Sequence, residues 1–366
     1  MKNSSPDRVK PPLGTRRAYA TGDVKLRGTL VGVALLLVCT GLLGASPADA
    51  ATTTIKMATL VPQGSVWDRI LREMGNRWQE DTNGQVRLTI YAGGVAGDEP
   101  DVVRKMRIGQ LHAAAISTAG LVSIDPGFQV FQIPMFFASY EELFHVLETL
   151  RPDFEARLEA KGYVLLNWGN GGWVHLFSKL PVRELDDLKS QKLFSWAGDE
   201  SMIQMWRENG FQPIALAATD IHTGLQTGLI EAVPTTPLAA LSLQWFRETP
   251  YMQNLGLAPL VGATVISHRM WNRLTPEVRS ALRAAARETE ARLFAEIPEQ
   301  DSEAVEQMSG RGLTVVEVDD QQETAWRAAA EDFAAVQRKQ MAADAKDLLD
   351  RVQKIRDTYR AKHSGE

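Results

Sequence analysis

Residues 84–117 read GQVRLTIYAGGVAGDEPDVVRKMRIGQLHAAAIS, and the fold is decided in this stretch. Val86, Leu88 and Ile90 alternate with Arg87, Thr89 and Tyr91, the two-residue period of a half-buried strand. Gly93, Gly94 and Gly97 follow in a loop whose backbone can approach another molecule closely, because no Cβ intrudes. Asp98, Glu99, Pro100 and Asp101 then open a helix: acidic side chains suit its positive end, and proline suits its first turn. Val102, Val103, Met106 and Ile108 give that helix an apolar face, Gly109 stops it, and a buried strand starts at Ala113. A glycine loop between a strand end and a helix N-terminus is where α/β proteins hold small ligands.

The same alternation extends outward. A strand at 55–60 precedes a helix carrying Trp67, Ile70, Leu71, Met74 and Trp78. Strand-like runs at 163–168 and 173–177 flank Gly169, Gly171 and Gly172, a turn flexible enough to let the chain cross between lobes. Short strands at 192–196, 213–216, 231–233, 264–267 and 314–318 alternate with helices. Thr275-Pro276-Glu277 caps a long helix whose stripe of Val278, Leu282, Ala285, Ala286 and Leu293 continues toward Met308, and 321–359 is mostly helical. The pattern predicts an α/β protein with largely parallel sheets. A length of 366 residues predicts two lobes.

The N-terminus bounds the compartment. Seven basic residues precede Gly28, an apolar run spans 29–43, and Ala48-Asp49-Ala50 follows. This predicts a cleaved secretory signal peptide over 1–50; fifteen residues broken by Gly32 and Gly41 are short for a membrane span of about 20. Cys39 after Leu36-Leu37-Val38 only weakly resembles a lipoprotein box, and Arg16-Arg17 only weakly a twin-arginine signal. Residues 1–50 hold seven of the 40 basic and three of the 45 acidic residues, which leaves 33 and 42, a formal charge of −9. That balance argues against nucleic acid or an anionic membrane surface as a partner. Cys39 is the only cysteine, so the exported part has no disulfide and no thiolate metal site.

No catalytic constellation stands out. H-E-x-x-H, G-x-S-x-G, a P-loop and a complete G-x-G-x-x-G are absent, and the six histidines lack a zinc-like spacing. An exported, cysteine-free α/β chain without a metal, cofactor or catalytic set reads as a binding protein rather than an enzyme.

Four stretches carry a family likeness: A-T-L-V-P-Q-G-S-V-W at 58–67; T-N-G, Y-A-G-G-V-A-G-D-E and K-M-R-I-G-Q-L-H-A-A within 82–114; L-Q-T-G-L-I-E-A at 225–232; and W-N-R-L-T-P at 271–276. Together they resemble the dicarboxylate-receptor (DctP-like) family, the solute-binding receptors of tripartite ATP-independent periplasmic (TRAP) transporters, over most of 52–318. The resemblance implies a two-lobed periplasmic-binding-protein fold with a ligand cleft between the lobes and a long helix spanning both, here 276–308. The expected division is 51–173 with about 262–300 in lobe I, and 174–261 with about 301–366 in lobe II. A periplasmic location and delivery of a small organic ligand to a TRAP membrane permease are implied as well; oligomeric state is left open.

The departures matter more. Family members hold a substrate carboxylate with an arginine after a D-L-K-G-x-K segment; Asp187 to Leu193 match that segment, but Phe194 stands at the arginine position. Phenylalanine has no fork of donors for a carboxylate. Thr235 and Thr236 stand where an asparagine is usual. Trp67, Trp168, Trp173, Phe194 and Trp196 are each either core or, taken together, an aromatic pocket wall suited to an apolar or aromatic solute. The expected contacts are Gln63, Ser65, Trp67, Gly94, Ser117, Thr118, Asn170, Trp173, Phe194, Trp196, Thr235 and Thr236, with Gly93, Gly97 and Asp98 shaping the helix entry or, for Asp98, only capping it. The leading expectation is a receptor for an organic acid or a more apolar compound. The alternative is a carrier of a lipid or hydrophobic metabolite working with a non-permease partner.

Overall fold

A computed structural model describes residues 52–363, so the leader expected over 1–50 lies outside the described residues. Strand β1 (Thr53–Thr59) buries Ile55 and Met57 and leads into α1 (Val66–Asp81). The Ser65 hydroxyl caps α1 by accepting the Asp68 N–H. β2 (Val86–Tyr91) and α2 (Glu99–Arg107) follow as the alternation predicts, then β3 (Ala113–Ser117) and α3 (Thr118–Ile124). A 3₁₀ stretch (Pro126–Gln132), α4 (Tyr140–Thr149) and α5 (Arg151–Ala160) cover one face of this half.

One strand, β4 (Tyr163–Ser178), replaces the two strands expected around the glycines. Its register slips at Leu165/Asn167 and again at Asn170/Trp173, where Gly171 and Gly172 form a bulge rather than a turn. Beyond it come α6 (Leu185–Lys189), β5 (Lys192–Trp196), α7 (Glu200–Glu208), β6 (Gln212–Leu216), α8 (Ile221–Thr227), β7 (Ala232–Thr235) and α9 (Pro237–Ser242). Then follow β8 (Tyr251–Gln253), β9 (Ala258–Ser267), α10 (His268–Trp271), α11 (Pro276–Ser309), β10 (Thr314–Val316), α12 (Asp320–Gln340) and α13 (Ala343–His363).

The sheet order is β2-β1-β3-β9-β4-β7-β5-β6, with β8 beside β4 and β10 beside β8. β1, β2 and β3 are parallel, as are β5, β6 and β7, but β9 and β4 run antiparallel to their neighbours. The sheets are therefore mixed, and the antiparallel pair is the seam. Tyr163 to Val174 of β4 pair with β9 in the first half, and His175 to Ser178 pair with β7 and β8 in the second.

Helix α11 is 34 residues long, roughly 50 Å at the α-helical rise. It packs on α1, β4 and α9, so it serves both halves, and Ala51–Glu366 form a single unit. Helix α13 departs from the expected lobe II: Ala345, Leu348, Leu349 and Val352 are buried with Phe131, Phe137 and Leu143 of the first half. Its apolar stripe finds the open face of the 3₁₀ stretch and α4.

Candidate functional site

The ends of the parallel strands in both halves face a cavity of about 720 Å³. From the first half it is lined by the 59–62 segment, Gly93, Glu99 and Ser117 to Ala119; from the second by Phe194 to Trp196, Ala218, Thr219, Thr235 and Trp245; the crossing strands contribute Gly169 to Gly171.

Seven of the twelve expected contacts line it: Trp67, Ser117, Thr118, Asn170, Phe194, Trp196 and Thr235. Phe194 and Trp196, two apart on β5, share a face and meet edge-on with centroids 5.5 Å apart. The remaining five do not line it. Gln63 is exposed, and Ser65 is spent on the α1 cap. Gly94 lies under Thr219: a Cβ there would sit 2.7 Å from Thr219 Cγ2. Trp173 packs edge-on against Tyr140, and Thr236 is wholly buried as the α9 cap. Trp168 is core as well, packed among Phe128, Phe131 and Phe154.

The hydroxyls of Ser117 and Thr118, expected to donate to a solute, donate within the protein: Ser117 Oγ to Glu99 Oε2 at 2.7 Å, and Thr118 Oγ1 to the Val261 carbonyl at 2.9 Å. Glu99 is the organising carboxylate of this floor. It also accepts the N–H groups of Ser117 and Gly120, each at 2.7 Å, tying the start of α2 to the β3–α3 junction. Burial pushes its pKa up to about 7 against the pull of those donors.

Asn170 lines the cavity from the crossing strand. Its Oδ1 accepts the Gly172 N–H at 3.0 Å, which fixes the amide orientation and leaves Nδ2 as the free end. Nδ2 is buried and has no partner among the described residues. Trp67 Nε1 holds the segment by donating to the Asn170 carbonyl at 3.1 Å. The Trp245 Nε1–H is likewise buried and unpartnered. A buried polar group without a partner is costly, and both of these residues line the cavity. Among the described residues Lys189 is the only lysine or arginine lining the cavity, and its ammonium pairs with Asp186 at 3.0 Å.

The bulge beside Asn170 is held by Asp301 of α11. Asp301 Oδ2 accepts the Trp173 N–H at 2.7 Å and Oδ1 accepts the Leu238 N–H at 2.9 Å, so one carboxylate joins β4 to the start of α9. A Cβ on Gly172 would lie 2.2 Å from Asp301 Oδ2, and only glycine fits its φ of +105° there without strain. Burial raises the Asp301 pKa to about 7.

Comparison with known proteins agrees with this architecture. The model of the family described as bacterial extracellular solute-binding protein, family 7, matches residues 57–340. The 2,3-diketo-L-gulonate-binding periplasmic protein YiaO of Escherichia coli is 22% identical over 291 residues, 78% of this chain and 88% of that one. The crystal structure of DctP7, a Bordetella pertussis extracytoplasmic solute receptor binding pyroglutamic acid, has a TM-score of 0.76 at 21% identity, covering 82% of this chain and 100% of that one. A TRAP periplasmic solute-binding protein from Pseudomonas putida F1 with bound D-glucuronate has a TM-score of 0.74 at 26% identity, covering 82% and 96%. The fold is the two-lobed one of TRAP periplasmic receptors. With more than half its length matched, the chain belongs to family 7 of the bacterial extracellular solute-binding proteins, the DctP-like receptors.

Proposed function

We propose that this receptor is exported by its N-terminal leader, closes its two halves on one small organic solute, and passes it unaltered to a TRAP membrane permease. The similar receptors named above bind pyroglutamic acid, D-glucuronate and 2,3-diketo-L-gulonate, which supports an organic acid or a close analogue as the solute class. They give no support to a lipid carrier with a non-permease partner. The observation that carries the reading is the pair of buried, unpartnered neutral donors, Asn170 Nδ2 and Trp245 Nε1, beside the aromatic wall of Phe194 and Trp196. Such a site recognises a carbonyl, hydroxyl or carboxyl oxygen through hydrogen bonds rather than through an ion pair.

A thermal-shift screen of residues 51–366 against organic acids and their neutral analogues tests it, because a tight ligand raises Tm by mass action. Asn170→Ala and Trp245→Phe should each weaken the best compound by about three- to tenfold, the worth of one neutral hydrogen bond. No compound stabilising the protein, or a hit indifferent to both substitutions, contradicts the reading.

A further inference from the structure

Along a strand, successive side chains point to opposite faces, so Phe194 and Trp196 of β5 face one way, and Leu193 and Ser195 the other. Phe194 packs with Phe177, Ile221 and Trp245, whereas Leu193 packs with Leu176, Leu188 and Trp326, which places the two sets in different layers. All four of these β5 residues nevertheless line the same cavity. The cavity therefore reaches both sides of β5. One side is the cleft described above. On the other, space lies between the strand and helices α7 and α12.

Resting on the receptor reading, we propose that this second chamber takes an apolar extension of the solute, so that the ligand is an amphiphile: a small hydrogen-bond-accepting head in the cleft and an alkyl or aryl tail behind β5. Met202 and Trp206 of α7 and its C-cap Asn209 line the chamber, at helical spacing. Trp326, Ala330 and Phe333 line it from α12, also at helical spacing, and the ring of Phe333 lies 5.3 Å from that of Trp206. The inward stripe of α12 carries Ala329 and Ala330 where larger side chains would close the gap onto the sheet, so the space comes from the sequence of the helix. The lining here is mostly apolar, with Asn209, Lys189 and Asp332 as polar exceptions, which suits an apolar guest whose end stays near water. Ser195, on the same face of β5 as Leu193, is buried at 5% residue exposure, and its Oγ, without a partner among the described residues, is the one polar spot along this side of the strand. The whole cavity, about 720 Å³, falls in the range of pockets for drug-sized ligands, with room beyond a sugar-acid-sized head.

The test uses residues 51–366 and straight-chain alcohols from butanol to decanol as probes, with the matching carboxylates as a charged-head arm, measured by calorimetry. Affinity should rise about fourfold per methylene until the chamber is full. Leucine at both alanine positions (Ala329→Leu with Ala330→Leu) should weaken octanol binding by about tenfold or more while leaving butanol within about twofold. Ala329→Leu alone, at a half-exposed position, gives the same ordering if the double variant does not fold. Affinity independent of chain length overturns the proposal, as does equal weakening of short and long probes, or none, in the leucine variants. If short organic acids bind and no alcohol does, the chamber falls and the receptor reading stands. If long alcohols bind, lose affinity in the leucine variants and ignore Asn170→Ala, the chamber stands and the assignment of the head site falls.

Discussion

Asp98 reaches Ala218, 120 residues on: Asp98 Oδ2 accepts the Ala218 N–H at 2.9 Å, while Oδ1 accepts the Glu99 N–H at 2.8 Å. One carboxylate thus caps α2 in the first half and clasps the turn before α8 in the second. Gly94 meets Thr219 alongside it, closer than any residue with a Cβ could. Asp301 joins β4 to α9 in the same two-oxygen fashion. Two aspartates thus each bridge separate elements through both carboxylate oxygens.

Removing the clasp should speed ligand release. Asp98→Ala loses the helix cap, worth about 1 kcal/mol, and the hydrogen bond to Ala218, so dissociation should accelerate roughly tenfold. Asp98→Asn keeps an acceptor and should fall between. Stopped-flow tryptophan fluorescence gives the rates; identical release from all three proteins would show that the clasp plays no part in closure.

Phe194→Arg should invert the preference of the pocket. A guanidinium beside Trp196 offers a carboxylate its forked partner, so carboxylate affinity should rise at least about tenfold, while apolar compounds bind more weakly. Calorimetry with matched acids and amides decides. An unchanged ratio between acid and amide would mean that position 194 does not meet the solute head.

The pH dependence follows from Glu99 and Asp301, each raised by burial to about 7. Between the ordinary carboxylate pKa and 7, the folded protein holds protons that the unfolded chain has lost, so these groups make stability fall as pH rises through about 4 to 7. Above 7 their contribution is constant. Glu99→Gln combined with Asp301→Asn should flatten that part of a Tm–pH curve. A slope that survives in the double variant would assign it to other groups.

A third buried carboxylate is structural. Glu290 on α11 accepts the Trp168 N–H at 2.6 Å and pairs with the buried Arg151. Arg151→Ala leaves that carboxylate with only the half-exposed Arg287, 3.4 Å away, and should cost somewhat less than the about 3–5 kcal/mol of a fully stranded buried charge in chemical denaturation. A loss under about 1 kcal/mol would mean that water reaches Glu290.

Much of this was legible in the sequence where one local rule acted alone. The strand, glycine loop and helix of 86–107 obey period, cap and propensity together, and the structure repeats them. At 163–178 local rules mislead: Gly171 and Gly172 read as a turn, yet Asp301, 128 residues from Trp173, accepts its N–H and keeps the strand continuous through a bulge. Phe194 and Asn170 are visible as cavity residues because a motif or a glycine cluster marks them. Trp245 is not, since it is brought to the cavity by a left-handed turn at Gln244 (φ 61°) in a stretch without periodicity. The chamber behind β5 is hidden for a similar reason. Alanines on a charged helix look like plain helix formers until the sheet they fail to fill is in place.

The most direct test of the account is a crystal structure of residues 51–366 with the compound that most raises the melting temperature. The account predicts that compound between the halves, an oxygen of its head within hydrogen-bonding distance of Asn170 Nδ2 and Trp245 Nε1, with no lysine or arginine paired to it. A solute held elsewhere, or one whose carboxylate is paired to a cationic side chain, would contradict it.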